Sequence, residues 1–323
     1  MDTDACSQWK FINKREVGMT CVAFSGGQPK EGVDLGPEYV LKAGIIFQLK
    51  EMNYDVVLTA GKICNYKEFF PESDPPVGIV KRPRTVGIVN KILANQVYEH
   101  VKAGRFALQI GGDHSMAIGT ISGVSRGVKE LFNQDLKVIW VDAHADINTP
   151  DSTETGNLHG MPLSFLTNLV SQKIEGLDWI EPCLKPENLV YIGLRDVDKE
   201  EKEILKKNKI KAFSMHEIDG YGIGQVIDMA IKHLSQGDDA HSPIHLSFDI
   251  DALDPSVAAS TGTPVRGGLT FREGHFICEK LYQTGRLVGL DMVELNPAIG
   301  EHNEDTITIG CSLIRATLGE SLL

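Results

Sequence analysis

Short apolar, β-branched runs recur along the chain and alternate with longer amphipathic segments. Eight runs read as strands: residues 17–24, 54–59, 106–110, 137–142, 188–193, 210–213, 243–249 and 286–291. Most are apolar almost throughout, as strands covered on both faces should be. Helix signals fall at 37–52, 85–101, 200–208, 224–235 and 270–284, and another helix start is expected at 115–119. Pro37 suits a first helical turn, and Gly104 suits a stop after the second segment. This alternation predicts an α/β fold, with a mostly parallel sheet of eight strands and helices on both faces. In such sheets ligands gather beyond the carboxyl ends of the strands.

Three of those ends carry clusters of metal-ligating residue types. Residues 106–110 run into Gly111-Gly112-Asp113-His114-Ser115. Residues 137–141 run into Asp142-Ala143-His144-Ala145-Asp146-Ile147-Asn148, and residues 244–248 into Asp249-Ile250-Asp251. In extended chain, residues two apart share a face, so Asp142, His144, Asp146 and Asn148 can point together, and so can Asp249 and Asp251. Any one of them alone would read as a turn former or helix cap. Packing so many ionisable groups at the ends of buried strands is costly unless something neutralises them. Metal binding at His114, Asp142, His144, Asp146, Asp249 and Asp251 is the expectation. The set is too large for one tetrahedral zinc site and contains no Cys. Carboxylate mixed with imidazole suits Mn²⁺ or a similar ion. Four carboxylates match the charge of two divalent cations, which favours a binuclear site with a hydroxide nucleophile.

The segment 149–160 is small and polar and lies beside these ligands. Asn148, Asn157 and His159 make it a candidate substrate loop, with His159 a candidate proton shuttle. Glu294 follows the last strand and could pair with a cationic group.

Composition adds exclusions. The chain has 323 residues, 44 Asp+Glu against 32 Lys+Arg, and a formal net charge of -12. That balance argues against nucleic-acid binding through overall charge. No apolar run approaches the roughly 18 residues of a membrane span. The first fourteen residues lack the apolar stretch of a secretory signal. The cysteines, Cys6, Cys21, Cys64, Cys183, Cys278 and Cys311, form no C-x-x-C pair. Free thiols in a cytoplasmic protein are expected. The tail ending Leu322-Leu323 lacks the Lys of a peroxisomal address and reads as ordinary. Length alone suggests about two domains. The ligands span His114 to Asp251, so residues 1–323 are expected to form one catalytic domain.

Taken in order, Gly111–Ser115, Asp142–Pro150, Gly156-Asn157-Leu158-His159-Gly160, Ser247–Pro255 and Thr261-Gly262-Thr263-Pro264-Val265 resemble the motifs of the arginase family of ureohydrolases. The resemblance runs from about Phe24 to Gly310. It implies a three-layer αβα fold, two Mn²⁺ ions and hydrolysis of L-arginine to L-ornithine and urea. One ion would be held by His114, Asp142, Asp146 and Asp249, the other by Asp142, His144, Asp249 and Asp251. Asp113 is similar to a residue that orients His114. A bridging hydroxide would attack the guanidinium carbon. Glu294 would hold the guanidinium, Asp146 would pass a proton to the leaving amine, and His159 would exchange protons with water. Asn148, Thr155 and Asn157 match positions that bind the α-carboxylate, while Asp198 and Glu201 match those for the α-amino group. Read as residues alone, Asp198 and Glu201 are a helix cap and an acidic first turn. Thr263, in the loop beside the site, is a further substrate-binding candidate. The resemblance also implies a homotrimer.

Two positions depart from the family. Thr155 stands where Ser is common, and Ala259 where Pro is usual, which is expected to loosen the loop before Thr263. Three other readings compete. An agmatinase or other guanidine hydrolase would share the metal motifs. A non-catalytic homologue would have no need of a costly carboxylate cluster. A serine hydrolase would use Gly123-Val124-Ser125-Arg126-Gly127, but that G-x-S-x-G lacks a buried strand before it.

Overall fold

Every expected run yields a strand in the computed structural model, which describes residues 9–236, 241–300 and 303–321. Cys6 and the end of the tail at Leu322 and Leu323 lie outside the described residues. The strands are β1 (Glu16–Cys21), β2 (Asp55–Leu58), β3 (Phe106–Ile110), β4 (Lys137–Val141), β5 (Leu189–Leu194), β6 (Lys211–Ser214), β7 (Ile244–Asp249) and β8 (Leu287–Val293). The helices are α1 (Gly36–Lys42), α2 (Ile45–Glu51), α3 (Pro83–Lys102), α4 (Ala117–Phe132), α5 (Pro162–Leu166), α6 (Lys199–Lys207), α7 (Met215–Leu234), α8 (Phe271–Gln283) and α9 (Asn303–Thr317).

The strands form one sheet in the order β2-β1-β3-β8-β7-β4-β5-β6. Every neighbouring pair is parallel. β3, β4, β5, β7 and β8 are buried along their whole length, which explains their unbroken apolar character. α3, α4 and α5 pack on one another in one helical layer, and α1, α2, α9, α8 and α7 form the other. The result is the expected three-layer α/β fold.

The differences from the sequence reading have local causes. The chain leaves β1 at Cys21 rather than near residue 24, keeping only an isolated bridge between Val22 and Cys64. The single helix expected over 37–52 is two, because Gly44 takes φ 84° between α1 and α2. α7 begins at Met215, nine residues ahead of expectation, where Ser214 and Glu217 form a capping box. It continues across a kink at Gly222 (φ 76°). α5 and α9 match no expected helix. α9 is rich in β-branched Thr and Ile, so its local propensity hides it. No helix among the described residues is long and apolar enough to cross a membrane. Cys21, Cys64, Cys183, Cys278 and Cys311 are free, as expected.

Candidate active site

The strand order decides where the chemistry collects. β3, β8, β7 and β4 are consecutive at the centre of the sheet. Their carboxyl ends lead into His114, Glu294, Asp249–Asp251 and Asp142–Asp146 respectively. Groups from four strands therefore meet over a few ångströms.

His114 Nδ1 lies 3.2 Å from Asp142 Oδ2, 3.3 Å from Asp146 Oδ2 and 3.2 Å from Asp249 Oδ2. His144 Nδ1 lies 3.2 Å from Asp251 Oδ2 and 3.4 Å from Asp142 Oδ1. Asp142 thus belongs to both groups of possible ligands, His114–Asp142–Asp146 and Asp142–His144–Asp251. Local turns aim the carboxylates. Asp249 Oδ1 accepts from Asp251 N at 2.8 Å, and Asp142 Oδ1 accepts from His144 N at 2.7 Å. Asp113 caps the short helix at His114–Met116 and accepts from Gly27 N at 2.9 Å.

The cluster is electrostatically frustrated as a set of side chains. Burial, with the charges of Asp251 and Asp142 beside it, pushes Asp249 well above the usual carboxylate range. Burial and Asp142 push Asp146 up to about 6. Asp142 is buried as well, yet its bonds to His114 and His144 hold it below the usual range. Burial opposes charge on His114, but the surrounding carboxylates of Asp142, Asp146 and Asp249 overcome it and raise the imidazole well above its usual value. His114 Nδ1 is also buried without a hydrogen-bond partner. A lone nitrogen facing three carboxylate oxygens is the donor set of a divalent cation site. The residues fit two such ions with Asp142 shared.

The remaining candidates ring this cluster. Glu294 is buried, takes φ 61°, and accepts from His114 N at 2.8 Å through Oε1. His159 Nδ1 lies 3.4 Å from the same oxygen, and its side chain is partly open to solvent. Burial works against charge on His159, but Glu294 raises its pKa above the usual value. Thr263 Oγ1 donates to Asp251 Oδ2 at 2.9 Å. Asn148 Nδ2 donates to Asp198 Oδ2 at 2.8 Å, which joins the two parts of the expected recognition loop. Thr155 Oγ1 accepts from Asn157 N at 3.2 Å, and Lys81 Nζ donates to Asn157 Oδ1 at 3.4 Å. Glu201 accepts from Ile147 N at 3.1 Å and from Asp198 N at 3.0 Å, so its oxygens brace two backbone segments. Burial raises it to about 7. The loop with Ala259 is tied down: Ser260 N donates to Thr306 Oγ1 at 3.2 Å and Asn296 N to Ser260 O at 2.9 Å.

The model of the Arginase family matches residues 15–319. An arginase of Coccidioides immitis is 51% identical over 329 aligned residues, covering 100% of both chains. The chain belongs to the arginase family. Arginase-1 of Sus scrofa is 48% identical over 316 residues, covering 95% of this chain and 94% of its own. The crystal structure of arginase from Bacillus cereus superposes with a TM-score of 0.85 at 36% identity, covering 96% of this chain and 100% of its own. As an arginase family member the chain is an enzyme, a hydrolase.

The groups behind the candidate ligands are not evident from the sequence motifs of this arginase family member. Trp140 donates from Nε1 to Asp142 Oδ2 at 2.8 Å and stacks on His114, with centroids 3.9 Å apart and planes 7° apart. Ser247 Oγ lies 2.8 Å from His114 Nε2. Ser152 Oγ donates to Asn148 Oδ1 at 2.8 Å. The available signal was His245 and Ser247, two polar residues inside the otherwise apolar β7. Ser125 is set apart from the cluster. It sits inside α4 with no strand leading into it, and its Oγ donates to Cys183 O at 3.4 Å. It borders a cavity of about 1160 Å³ whose lining includes none of the metal-ligand candidates. A nucleophile elbow is excluded by that placement.

Proposed function

We propose that this chain hydrolyses L-arginine to L-ornithine and urea at a binuclear Mn²⁺ centre. His114, Asp142, Asp146 and Asp249 would hold one ion, and Asp142, His144, Asp249 and Asp251 the other. The observation that carries the reading is the pair of ligand groups meeting at Asp142, with the orphaned His114 Nδ1 between carboxylates. Bound divalent ions would lower the pKa of water toward neutrality and so supply the nucleophile.

The chain's own residues do the rest. Glu294 holds the guanidinium by a charge-assisted pair, and its burial strengthens that pair. A water oxygen bonds to the guanidinium carbon, and the bond from that carbon to the δ-nitrogen breaks. Asp146 passes a proton to the departing amine. His159 contacts Glu294 and is partly open to solvent, which suits exchange of protons with bulk water. Asn148, Thr155 and Asn157 receive the α-carboxylate. Asp198 receives the α-amino group, while Glu201 serves recognition by holding Asp198 and the segment before Asn148. Thr263 orients Asp251.

An enzyme for agmatine would share the metal groups but would have no use for carboxylate recognition by Asn148, Thr155 and Asn157. Purified protein should contain about two Mn²⁺ per chain by elemental analysis. It should release urea from arginine far faster than from agmatine. Preference for agmatine would refute the recognition loop, and urea release without bound metal would refute the centre. One domain, a homotrimer and a cytoplasmic setting complete the proposal. A trimer is checked by light scattering of the eluted protein, where a monomer peak would count against it.

A further inference from the structure

His114 meets different chemistry at its two nitrogens. Nδ1 faces Asp142, Asp146 and Asp249. Nε2 faces Ser247 Oγ at 2.8 Å. The Ser247 hydroxyl in turn donates to Asp291 Oδ2 at 3.5 Å. The same oxygen accepts from Thr120 Oγ1 of α4 at 2.6 Å. His245 Nε2 lies 3.0 Å from it without a directed hydrogen bond. With its amide turned to donate, Gln109 Nε2 reaches Asp291 Oδ1 at 2.9 Å. Gln109, Thr120, His245, Ser247 and Asp291 are all fully buried.

Such a polar network in the middle of a sheet is costly unless it does something. β8 has even given up a side chain to accommodate it: a Cβ on Gly289 would come within 2.8 Å of His245 Nδ1. None of these residues has a part in the reaction described above. Their geometry supplies one. A serine hydroxyl has a single hydrogen. When Asp291 takes that hydrogen, only oxygen lone pairs remain to face His114 Nε2. The nitrogen facing lone pairs must carry the imidazole proton, which leaves the Nδ1 lone pair free for a cation. Trp140, stacked on the ring, fixes its plane, and Ser247 fixes its rotation within that plane.

We infer that Asp291, acting through Ser247, is the positioning residue that sets the tautomer and angle of His114 toward a metal ion. The inference rests on His114 being a ligand, as proposed above. Its test is isothermal titration of Mn²⁺ into metal-depleted wild type, Ser247→Ala and Asp291→Asn, beside thermal melts of the same metal-depleted proteins. Wild type should take two equivalents. Each variant should bind one of them about 10- to 100-fold more weakly, the usual effect of losing a partner behind a metal ligand. Asp291→Asn is nearly isosteric, but its amide can donate to Ser247 and turn the hydroxyl toward Nε2. The melting temperature of the metal-depleted protein should stay close to wild type in at least Asp291→Asn. Two equivalents bound at wild-type affinity in both variants overturn the inference while leaving the metal centre standing. Weakened binding matched by an equally weakened metal-depleted fold in both variants makes the network structural and also overturns it. Wild type that takes up no second equivalent sinks the metal centre and this inference together.

Discussion

Asp146 and Glu294, two of the groups assigned to handle protons and substrate, both sit in the left-handed backbone region, at φ 48° and 61°. Neither is glycine, so each conformation carries strain that its surroundings must hold. Leu163 N donates to Asp146 O at 3.1 Å, and Glu294 N donates to Gly112 O at 3.0 Å. The period-two spacing of Asp142, His144 and Asp146 was enough to mark them as candidate ligands. Backbone strain and the Ser247–His114 contact were not legible, because they depend on which chain segment lies opposite. Gly156 makes a similar demand in the proposed recognition loop. It takes φ 72°, and a Cβ there would lie 1.9 Å from Ile79 O, a backbone atom that cannot swing aside. Gly156→Ala should displace Thr155 and Asn157. The expected result is a rise of about 10-fold or more in KM for arginine, equivalent to about 1.4 kcal/mol, with both metal equivalents retained. Steady-state kinetics with metal analysis checks this, and an unchanged KM would remove Thr155 and Asn157 from recognition. His159→Gln should behave oppositely, lowering kcat by about 100-fold with metal content intact. Loss of metal in that variant would make His159 structural.

At the scale of elements, the pairing of α3 with α4 explains the G-x-S-x-G sequence. Gly119, Gly123 and Gly127 lie four apart on α4, and added Cβ atoms would come within 2.5 Å of Asn90 O, Ala94 O and Val101 Cγ1 of α3 respectively. The glycines let two helix backbones approach closely. They also lower local helix propensity, which is why only the start of α4 was expected from sequence. Gly123→Val should force the helices apart and cost on the order of 1–3 kcal/mol. A thermal melt should show the loss, while turnover per folded, metal-loaded molecule stays near wild type. The far end of α3 carries a second consequence. His100 is buried over Gly18 of β1, where a Cβ would lie 2.3 Å from the ring, and its Nε2 lies 2.7 Å from Thr59 Oγ1. Burial, helped by Arg105, lowers its pKa to about 4 from the usual imidazole value of 6.5. Between those values the unfolded chain binds the proton and the folded chain does not, so stability rises with pH across that window. The contribution is fully present above about 6.5 and fades as pH falls toward about 4. Urea denaturation of His100→Gln against wild type at pH 7.5 and 5 checks it. Wild type should lose stability relative to the variant on acidification, and parallel curves would show that His100 does not titrate with folding.

For the whole molecule, the eight strands were legible because both-face burial makes each one apolar, whereas their order was not. Order depends on which way each crossover runs, and the two halves β3-β8 and β7-β4 join strands far apart in sequence. That order is what gathers the carboxylates of β4 and β7 at one edge, and it would give the proposed metal ions a role in holding the fold. Asp142, Asp146, Asp249 and Asp251 are buried at the carboxyl ends of neighbouring strands, in a chain whose formal net charge is -12. Without cations, their repulsion and desolvation oppose folding. Two divalent ions would remove both penalties, and ions that bind only the folded state add stability by mass action. At free metal about 100 times the dissociation constant, each site contributes about 2.7 kcal/mol. For a chain of this size that corresponds to about 4 °C in melting temperature per ion. Chelation should therefore lower the melting temperature by about 8 °C relative to Mn²⁺-loaded enzyme, and added Mn²⁺ should restore it. Mg²⁺ demands octahedral oxygen coordination and suits the two imidazoles poorly, so at equal concentration it should restore less. Asp142→Asn lies in both ligand groups and should abolish most of the metal-dependent shift. Differential scanning calorimetry of wild type and Asp142→Asn, with and without chelator, makes the comparison direct. A variant that still gains the full shift would show that the stabilising ions bind elsewhere.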